Sequence, residues 1–162
     1  MFDVATFEKR LNICVKNKAF FQEALIHRSY LNEHRGCTSP HNERLEFFGD
    51  AVLKLVVTEI LFHGYDRPEG EMTAWRAALV NGDMLATIGK ELGIEDFLLM
   101  SRGEAKDTGR ARQYIVANAM EAIIGALYLD QGYTAAQEFI AAHILSHLPE
   151  VLDQKLYADA KS

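Results

Sequence analysis

The chain has 162 residues, of which 49% are hydrophobic and 25% are charged, and these proportions exclude disordered and fibrous proteins. Its 17 basic and 23 acidic residues give a net charge of −6 at pH 7, which argues against a polyanion as partner. Because the sequence shows no signal peptide, no membrane-spanning apolar run and only two cysteines, Cys14 and Cys37, we expect one soluble, cytoplasmic domain without a disulfide framework or structural zinc.

The spacing of apolar residues predicts an all-α fold. Apolar residues recur at helical spacing, and the strict alternation that is typical of strands is not sustained anywhere. Ser39 followed by Pro40 is typical of a helix start, with serine as the N-cap and proline at the first helical position. In chain order, we predict helices over residues 4–11, 19–27, 40–62, 72–92, 112–130, 134–147 and 149–157.

Three carboxylates fall on one face of the predicted helix 40–62. Glu43, Glu46 and Asp50 are three and four residues apart, and like charges at this spacing oppose helix formation by about 0.2–0.5 kcal/mol per pair. A positive group is therefore expected on this stripe. A divalent cation such as Mg²⁺ is one candidate, because hard ions take carboxylate oxygens. The alternative is a solvated face on which Asp50 pairs with Lys54.

A second polar pair interrupts the apolar helix 112–130. Asn118 and Glu121 are three residues apart and face the same way. Gly125, one turn later, allows another helix to approach closely, so that the two polar stripes face each other as in the metal sites of helical bundles. The alternative is that Asn118 and Glu121 hydrogen-bond to a neighbouring backbone or an arginine.

The segment 102–112 is locally basic. It holds two acidic residues, two glycines and four basic residues, which are Arg102, Lys106, Arg110 and Arg112. We expect a mobile loop that grips phosphates, which the net charge of the chain would otherwise repel. An ordinary polar connection is the alternative.

Three blocks of sequence carry a resemblance to a known family. Residues 43–51, preceded by His41 and Asn42, closely resemble the signature of the ribonuclease III family. Residues 68–81 and 117–130 fall in the order and spacing of the catalytic domain of that family. The resemblance covers essentially the whole chain.

The resemblance implies an all-helical endonuclease domain that forms a homodimer and cleaves double-stranded RNA. It implies Mg²⁺ as cofactor, with Mn²⁺ as a substitute, products with 5′-phosphate and 3′-hydroxyl ends, and a role in ribosomal and messenger RNA processing. No membrane and no small-molecule cofactor are implied. By position, the residues that match the metal-binding cluster are Glu46, Asp50, Asn118 and Glu121, of which Asp50 and Glu121 match the catalytic pair.

Further residues match supporting positions of the family. Glu43 and Glu69 match positions of the cleavage valley of the dimer. His27 and Ser29 match a block near the RNA-facing side, although His27 also suits a capping or packing role. The four basic residues of segment 102–112 complete the expected RNA-facing set.

Two departures from the family pattern stand out. Asn118 occupies the position of an aspartate in the best-known members, which removes one negative charge, and we expect weaker Mg²⁺ binding rather than lost activity. Phe48 stands where leucine or valine is commoner. We interpret it as a packing variant on an apolar edge, formed with Phe47, Val52 and Val56, that makes a self-complementary two-fold interface.

The resemblance also suggests how the chain is organised. Residues 1–157 match the catalytic domain, and residues 158–162 resemble the start of a linker to the double-stranded RNA-binding domain that family members usually carry. We expect the chain to be a fragment of a longer protein, and the alternative is a short relative that acts without that domain. Two other functions stay open: a catalytically inactive relative that serves as a structural or RNA-binding subunit, and a helical dimerisation module without RNA. The presence of Glu46, Asp50 and Glu121 together argues against both.

Overall fold

A computed structural model describes residues 1–161, except for the side chains of residues 156–158, 160 and 161. Within these residues the only β pairing is a single bridge between Ile26 and Leu99, so the predicted all-α fold is confirmed. The α-helices are α1 (Val4–Leu11), α2 (Lys18–Ala24), α3 (Arg28–Glu33), α4 (Glu43–Gly64), α5 (Glu69–Val80), α6 (Gly82–Leu92), α7 (Arg102–Lys106), α8 (Arg110–Gln131), α9 (Tyr133–His143) and α10 (Leu148–Lys161).

Helix α8 forms the centre of the fold. Between Ile115 and Leu127 it is apolar on most of its circumference, and a helix of this kind is buried on several sides. The helices α2, α4, α6 and α9 pack around it. Its fully buried side chains include Val116, Met120, Ile123 and Ile124. Short 3₁₀ helices follow α6, over Ile94–Phe97, and α9, over Leu145–His147.

The start of α4 is fixed by a tertiary contact rather than by a local cap. The predicted N-cap role of Ser39 is wrong, because the helix begins three residues after Pro40. Asn42 is 3% exposed, and its side-chain amide donates a hydrogen bond of 3.0 Å to the Ala24 carbonyl. Its backbone N–H donates to the Ile26 carbonyl at 2.9 Å. The end of α2 therefore holds the residue from which α4 starts.

Other boundaries differ because polar side chains cap new helices. The predicted helix 72–92 is two helices, since Asn81 is extended (ψ 162°) and accepts a hydrogen bond from the Met84 N–H at 2.8 Å. The predicted helix 19–27 stops at the end of α2, and His27 caps α3 instead. Ser101 caps α7 by accepting from the Glu104 N–H at 3.2 Å, and this capping-box spacing was missed in the sequence.

The last helix and the thiols complete the description. The backbone of α10 continues to Lys161, so it includes the first residues of the predicted linker, and Ser162 lies outside the described residues. Cys14 and Cys37 are free thiols. None of the described helices combines the length and the apolar character needed to cross a bilayer.

Candidate active site

Helices α4 and α8 cross with their backbones in contact. A Cβ atom added to Gly49 would lie 1.7 Å from the carbonyl oxygen of Glu121, and one added to Gly125 would lie 2.7 Å from the carbonyl oxygen of Leu45. The close approach predicted from Gly125 is therefore confirmed. Sequence reasoning missed Gly49, although an isolated glycine inside a helical pattern is a signal of close backbone approach.

This crossing brings Asp50 and Glu121 together, since Asp50 follows Gly49 and the backbone of Glu121 touches Gly49. Burial raises the pKa of Glu121 to about 8, and a hydrogen bond to Asp50 and the Asp50 charge act in the same direction. The charge of Glu46 adds to this rise, and the charge of Lys54 opposes it. The two predicted carboxylate stripes thus face each other, and a proton on Glu121 relieves their repulsion.

Glu46 lies one turn before Asp50 on the same helix. Burial raises its pKa, and the neighbouring negative charges of Glu43 and Asp50 raise it further. The positive group nearest to this cluster is Lys54, whose Nζ lies 3.1 Å from Asp50 Oδ2. The pairing of Asp50 with Lys54 that the sequence left open is therefore present, and it leaves Glu46 and Glu121 without an ion-pair partner among the described residues.

Asn118 lies one turn before Glu121 on α8 and is partly buried. Within residues 1–161 its side-chain amide has no hydrogen-bond partner, and no three His, Cys, Asp or Glu side chains are close enough together to hold one metal ion. The donors nevertheless fit Mg²⁺, which uses one or two carboxylates and keeps several waters. The carboxylates of Asp50 and Glu121 would supply these ligands, and Asn118 would offer an amide oxygen from one helical turn before Glu121.

Glu43 and Glu69 occupy different surroundings. Glu43 opens α4, where its Oε1 lies 3.3 Å from Arg28 Nη1, and its charge acts on Glu46. Glu69 is exposed at the first position of α5, where a carboxylate interacts favourably with the helix dipole. The structure therefore places Glu43 at the edge of the carboxylate cluster, and it shows no ion pair of Glu69 within residues 1–161.

His27 and Ser29 connect α3 to the chain before α7. The Ser29 hydroxyl lies 2.7 Å from His27 Nδ1 and accepts a hydrogen bond from the Ser101 N–H at 2.9 Å. The backbone N–H of His27 donates a hydrogen bond to the Leu99 carbonyl at 2.8 Å. Burial lowers the pKa of His27. His27 Nδ1 also accepts a hydrogen bond from the Ser29 backbone N–H at 3.2 Å, which gives His27 the capping role that the sequence left open.

Arg112 is not an RNA-facing residue, and this prediction is wrong. Its side chain is only 14% exposed and its Nη1 lies 2.9 Å from Glu95 Oε2. Its Nη2 also donates to the Ala105 carbonyl at 2.6 Å. Arg112 therefore joins α7 and α8 to the 3₁₀ helix after α6, because a partly buried guanidinium needs an anion and carbonyl acceptors.

The remaining basic residues of segment 102–112 do face solvent. The predicted mobile loop is instead helix α7 and the start of α8. Arg102 is 92% exposed and lies 3.7 Å from a carboxylate oxygen of Glu33, and Lys106 and Arg110 are exposed as well. Three cations on helical elements therefore remain available to an anionic partner.

An apolar surface lies beside the start of α4. Phe47 is 83% exposed and Leu129 is 47% exposed, and both line a groove with Phe48. The prediction that Val52 and Val56 belong to an exposed apolar edge is wrong. They are only 7% and 0% exposed and belong to the core. The exposed apolar edge is thus limited to the phenylalanine end of α4 and the neighbouring part of α8.

One known family matches most of the chain. The Ribonuclease-III-like family model matches residues 17–148. The chain belongs to this family. The family match includes both crossing helices, so the glycine contact and the facing carboxylates lie inside the matched region.

Individual relatives are similar over most of this chain. Ribonuclease 3 of Oceanobacillus iheyensis is 45% identical over 90% of this chain and 64% of its own length, and Ribonuclease 3 of Treponema denticola is 39% identical over 99% and 65%. The chain therefore spans about two thirds of the length of these relatives. The solved nuclease domain of ribonuclease III from Campylobacter jejuni is 39% identical, with a TM-score of 0.80, over 91% of this chain and 99% of that one.

Proposed function

We propose that this chain is the nuclease domain of a ribonuclease III endoribonuclease. It hydrolyses phosphodiester bonds of double-stranded RNA in the presence of Mg²⁺, or Mn²⁺ in its place, and leaves 5′-phosphate and 3′-hydroxyl ends. Processing of ribosomal and messenger RNA is the corresponding role in the cell. The observation that carries the proposal is the crossing at Gly49, which sets Asp50 against Glu121 in a chain of the Ribonuclease-III-like family.

The chain's own residues supply a negative, partly buried and rigid site. Asp50 and Glu121 would hold the ion, with Asn118 and Glu46 as the further donors. Mg²⁺, when bound, neutralises charge on the scissile phosphate and makes water a better nucleophile. The touching backbones of α4 and α8 fix the spacing of the two carboxylates, which matters because a metal site needs its ligands held by rigid elements.

The proposed nuclease would recognise the shape of its RNA duplex rather than the base sequence. The deep major groove of A-form RNA hides the base edges, so a nuclease of this kind reads duplex shape, phosphates and 2′-hydroxyls. Arg102, Lys106 and Arg110 are the exposed cations available to the phosphates. Because the chain as a whole carries −6, binding by this chain alone is expected to be weak and to fall steeply with salt.

A homodimer with one site per subunit belongs to the same proposal. Phe47 is 83% exposed beside an apolar groove, and the Campylobacter jejuni domain is described as having a structurally flexible region involved in dimer formation. In a two-fold interface, the same patch on both subunits must be self-complementary. In sedimentation experiments at micromolar concentration, we expect the wild-type chain to be a dimer and the Phe47→Ser variant to be a monomer. A wild-type monomer would contradict the dimer.

Cleavage of matched substrates tests the activity. A long RNA duplex and its single strand are incubated with the chain in Mg²⁺, beside a calcium-only reaction, and the ends of the products are determined. Glu121→Gln removes the charge at the site, and Glu138→Gln, on the exposed face of α9, is the matched control. We expect cutting of the duplex by wild type and the control, and none by Glu121→Gln. Duplex binding without cutting at low salt and high enzyme would instead favour an inactive RNA-binding subunit, for which Asn118 is the supporting residue.

A further inference from the structure

Lys54 lies next to Asp50, one of the two candidate metal ligands. It follows Asp50 by one helical turn, with its Nζ 3.1 Å from Asp50 Oδ2. The side chains of Lys54 and Asp50 are 53% and 43% exposed. The positive charge of Lys54 also acts on Glu121, where it opposes the effect of the neighbouring carboxylates. The ammonium of Lys54 therefore pairs with Asp50 and offsets part of the repulsion that raises the pKa of Glu121.

The ion pair between Lys54 and Asp50 is weak enough for another cation to replace Lys54. A half-exposed pair at (i, i+4) spacing is weak, because water competes for both groups and two long side chains lose freedom. A lysine ammonium is a point charge with three rotatable donors on a flexible stem, so it changes partner without a backbone shift. A divalent cation offers Asp50 twice the charge at a shorter distance, about 2.1 Å for Mg²⁺. Its positive charge also repels the ammonium of Lys54.

We propose that Lys54 is a resident counter-ion of Asp50, which Mg²⁺ displaces and which then pairs with a phosphate of the bound RNA. The inference rests on the proposed function, because it takes Asp50 as a metal ligand and RNA as the substrate. Lys54 is in this account a charge-balancing and RNA-binding residue. It offsets the charge of Asp50 while no metal ion is bound, and it adds a phosphate contact when Mg²⁺ is bound.

The exchange predicts two opposite effects of removing the charge. Lys54→Met, a change of charge at similar length, is expected to bind Mg²⁺ about threefold to tenfold more tightly without RNA, because competition and repulsion are both lost. The same variant is expected to bind duplex RNA more weakly, with the slope of log affinity against log salt reduced by about one. A residue that merely supports the helix would not move the two affinities in opposite directions.

The experiment uses four proteins: wild type, Lys54→Met, Lys54→Arg, and Lys9→Met, which removes one exposed positive charge from α1. Mg²⁺ binding is measured by isothermal titration calorimetry without RNA. Duplex binding is measured at several salt concentrations in Ca²⁺, under conditions in which gels show no cutting. Lys54→Arg and Lys9→Met are expected to match wild type in Mg²⁺ affinity.

The outcomes separate this inference from the proposed function. Tighter Mg²⁺ binding together with a reduced salt slope in Lys54→Met alone supports the exchange. Wild-type Mg²⁺ affinity in Lys54→Met, or an unchanged salt slope, overturns it while the nuclease proposal stands. A wild-type chain that neither binds Mg²⁺ nor cuts duplex RNA overturns both. A similar gain in Mg²⁺ affinity in Lys9→Met also overturns it, since the effect would then come from net charge.

Discussion

Gly49→Ala is the substitution that tests most directly how the two central helices are held together. A Cβ atom at this position would lie 1.7 Å from the Glu121 carbonyl oxygen and 2.9 Å from the Gly125 nitrogen. Both obstacles are backbone atoms, so no side-chain rotation relieves the clash. The helices would have to separate by about 1.3 Å to restore the 3.0 Å that Cβ contacts require.

The expected loss of stability follows from two opposing terms. Overpacking in a well-packed core costs about 1–3 kcal/mol, and more where the backbone must move. The replacement of glycine by alanine inside a helix returns about 1 kcal/mol. Because the crossing is backbone on backbone, we place Gly49→Ala at the upper end of the cost, with a net loss of about 2 kcal/mol and a melting temperature lower by about 5 °C.

Urea and thermal unfolding measure this loss, and Gly70→Ala is the matched control. Gly70 lies in α5, where an added Cβ meets nothing within 4 Å, so its replacement should be neutral or stabilise by up to about 1 kcal/mol. Gly49→Ala should also cleave RNA more slowly under conditions in which it remains folded, because the separation of the helices moves Asp50 away from Glu121. A Gly49→Ala protein as stable as Gly70→Ala would refute the close crossing.

Three further substitutions test particular contacts. Because the pKa of Glu121 is raised from 4.5 to about 8, the folded state loses stability as pH rises between these values, and this penalty is absent below pH 4.5. Glu121→Gln should therefore stabilise the metal-free protein by about 1–2 kcal/mol at pH 8 after solvent screening. Equal melting curves at pH 8 would contradict this. Asn42→Ala leaves the Ala24 carbonyl unpaired, so the free energy of unfolding in urea should fall by about 1–3 kcal/mol. Arg112→Ala leaves Glu95 and the Ala105 carbonyl without this partner and should cost about 1–3 kcal/mol of stability with an unchanged salt slope of RNA binding. Arg110→Ala should keep stability and reduce that slope by about one.

The sequence predicts the helical class and the residues of each polar stripe because both depend on periodicity within a single helix. Glu46 and Asp50 share a face by spacing alone, as do Asn118 and Glu121. Gly125 added the expectation of a close approach. The grouping of side chains on one face needs no knowledge of long-range contacts. The facing of the two stripes is a tertiary contact that Gly125 suggested, and the structure places Asp50 against Glu121.

The features that the sequence did not predict depend on tertiary contacts. The start of α4 is set by Asn42, whose partners Ala24 and Ile26 are far away in the chain. Arg112 is adjacent to glycine-rich, basic sequence that suggests a solvent-facing loop, but Glu95 holds it in a partly buried ion pair. Val56 has the same apolar character as an interface residue and is a core residue. Composition cannot distinguish these cases.

The central claim is that the crossing of α4 and α8 builds one divalent-metal site on Asp50 and Glu121. Anomalous diffraction from crystals soaked in Mn²⁺ tests it directly, since manganese takes the same oxygen ligands as magnesium. We predict a single strong anomalous peak within about 2.0–2.3 Å of carboxylate oxygens of Asp50 and Glu121, which disappears in Glu121→Gln. A map without density between these two carboxylates at saturating Mn²⁺, or with the ion elsewhere, would contradict the account.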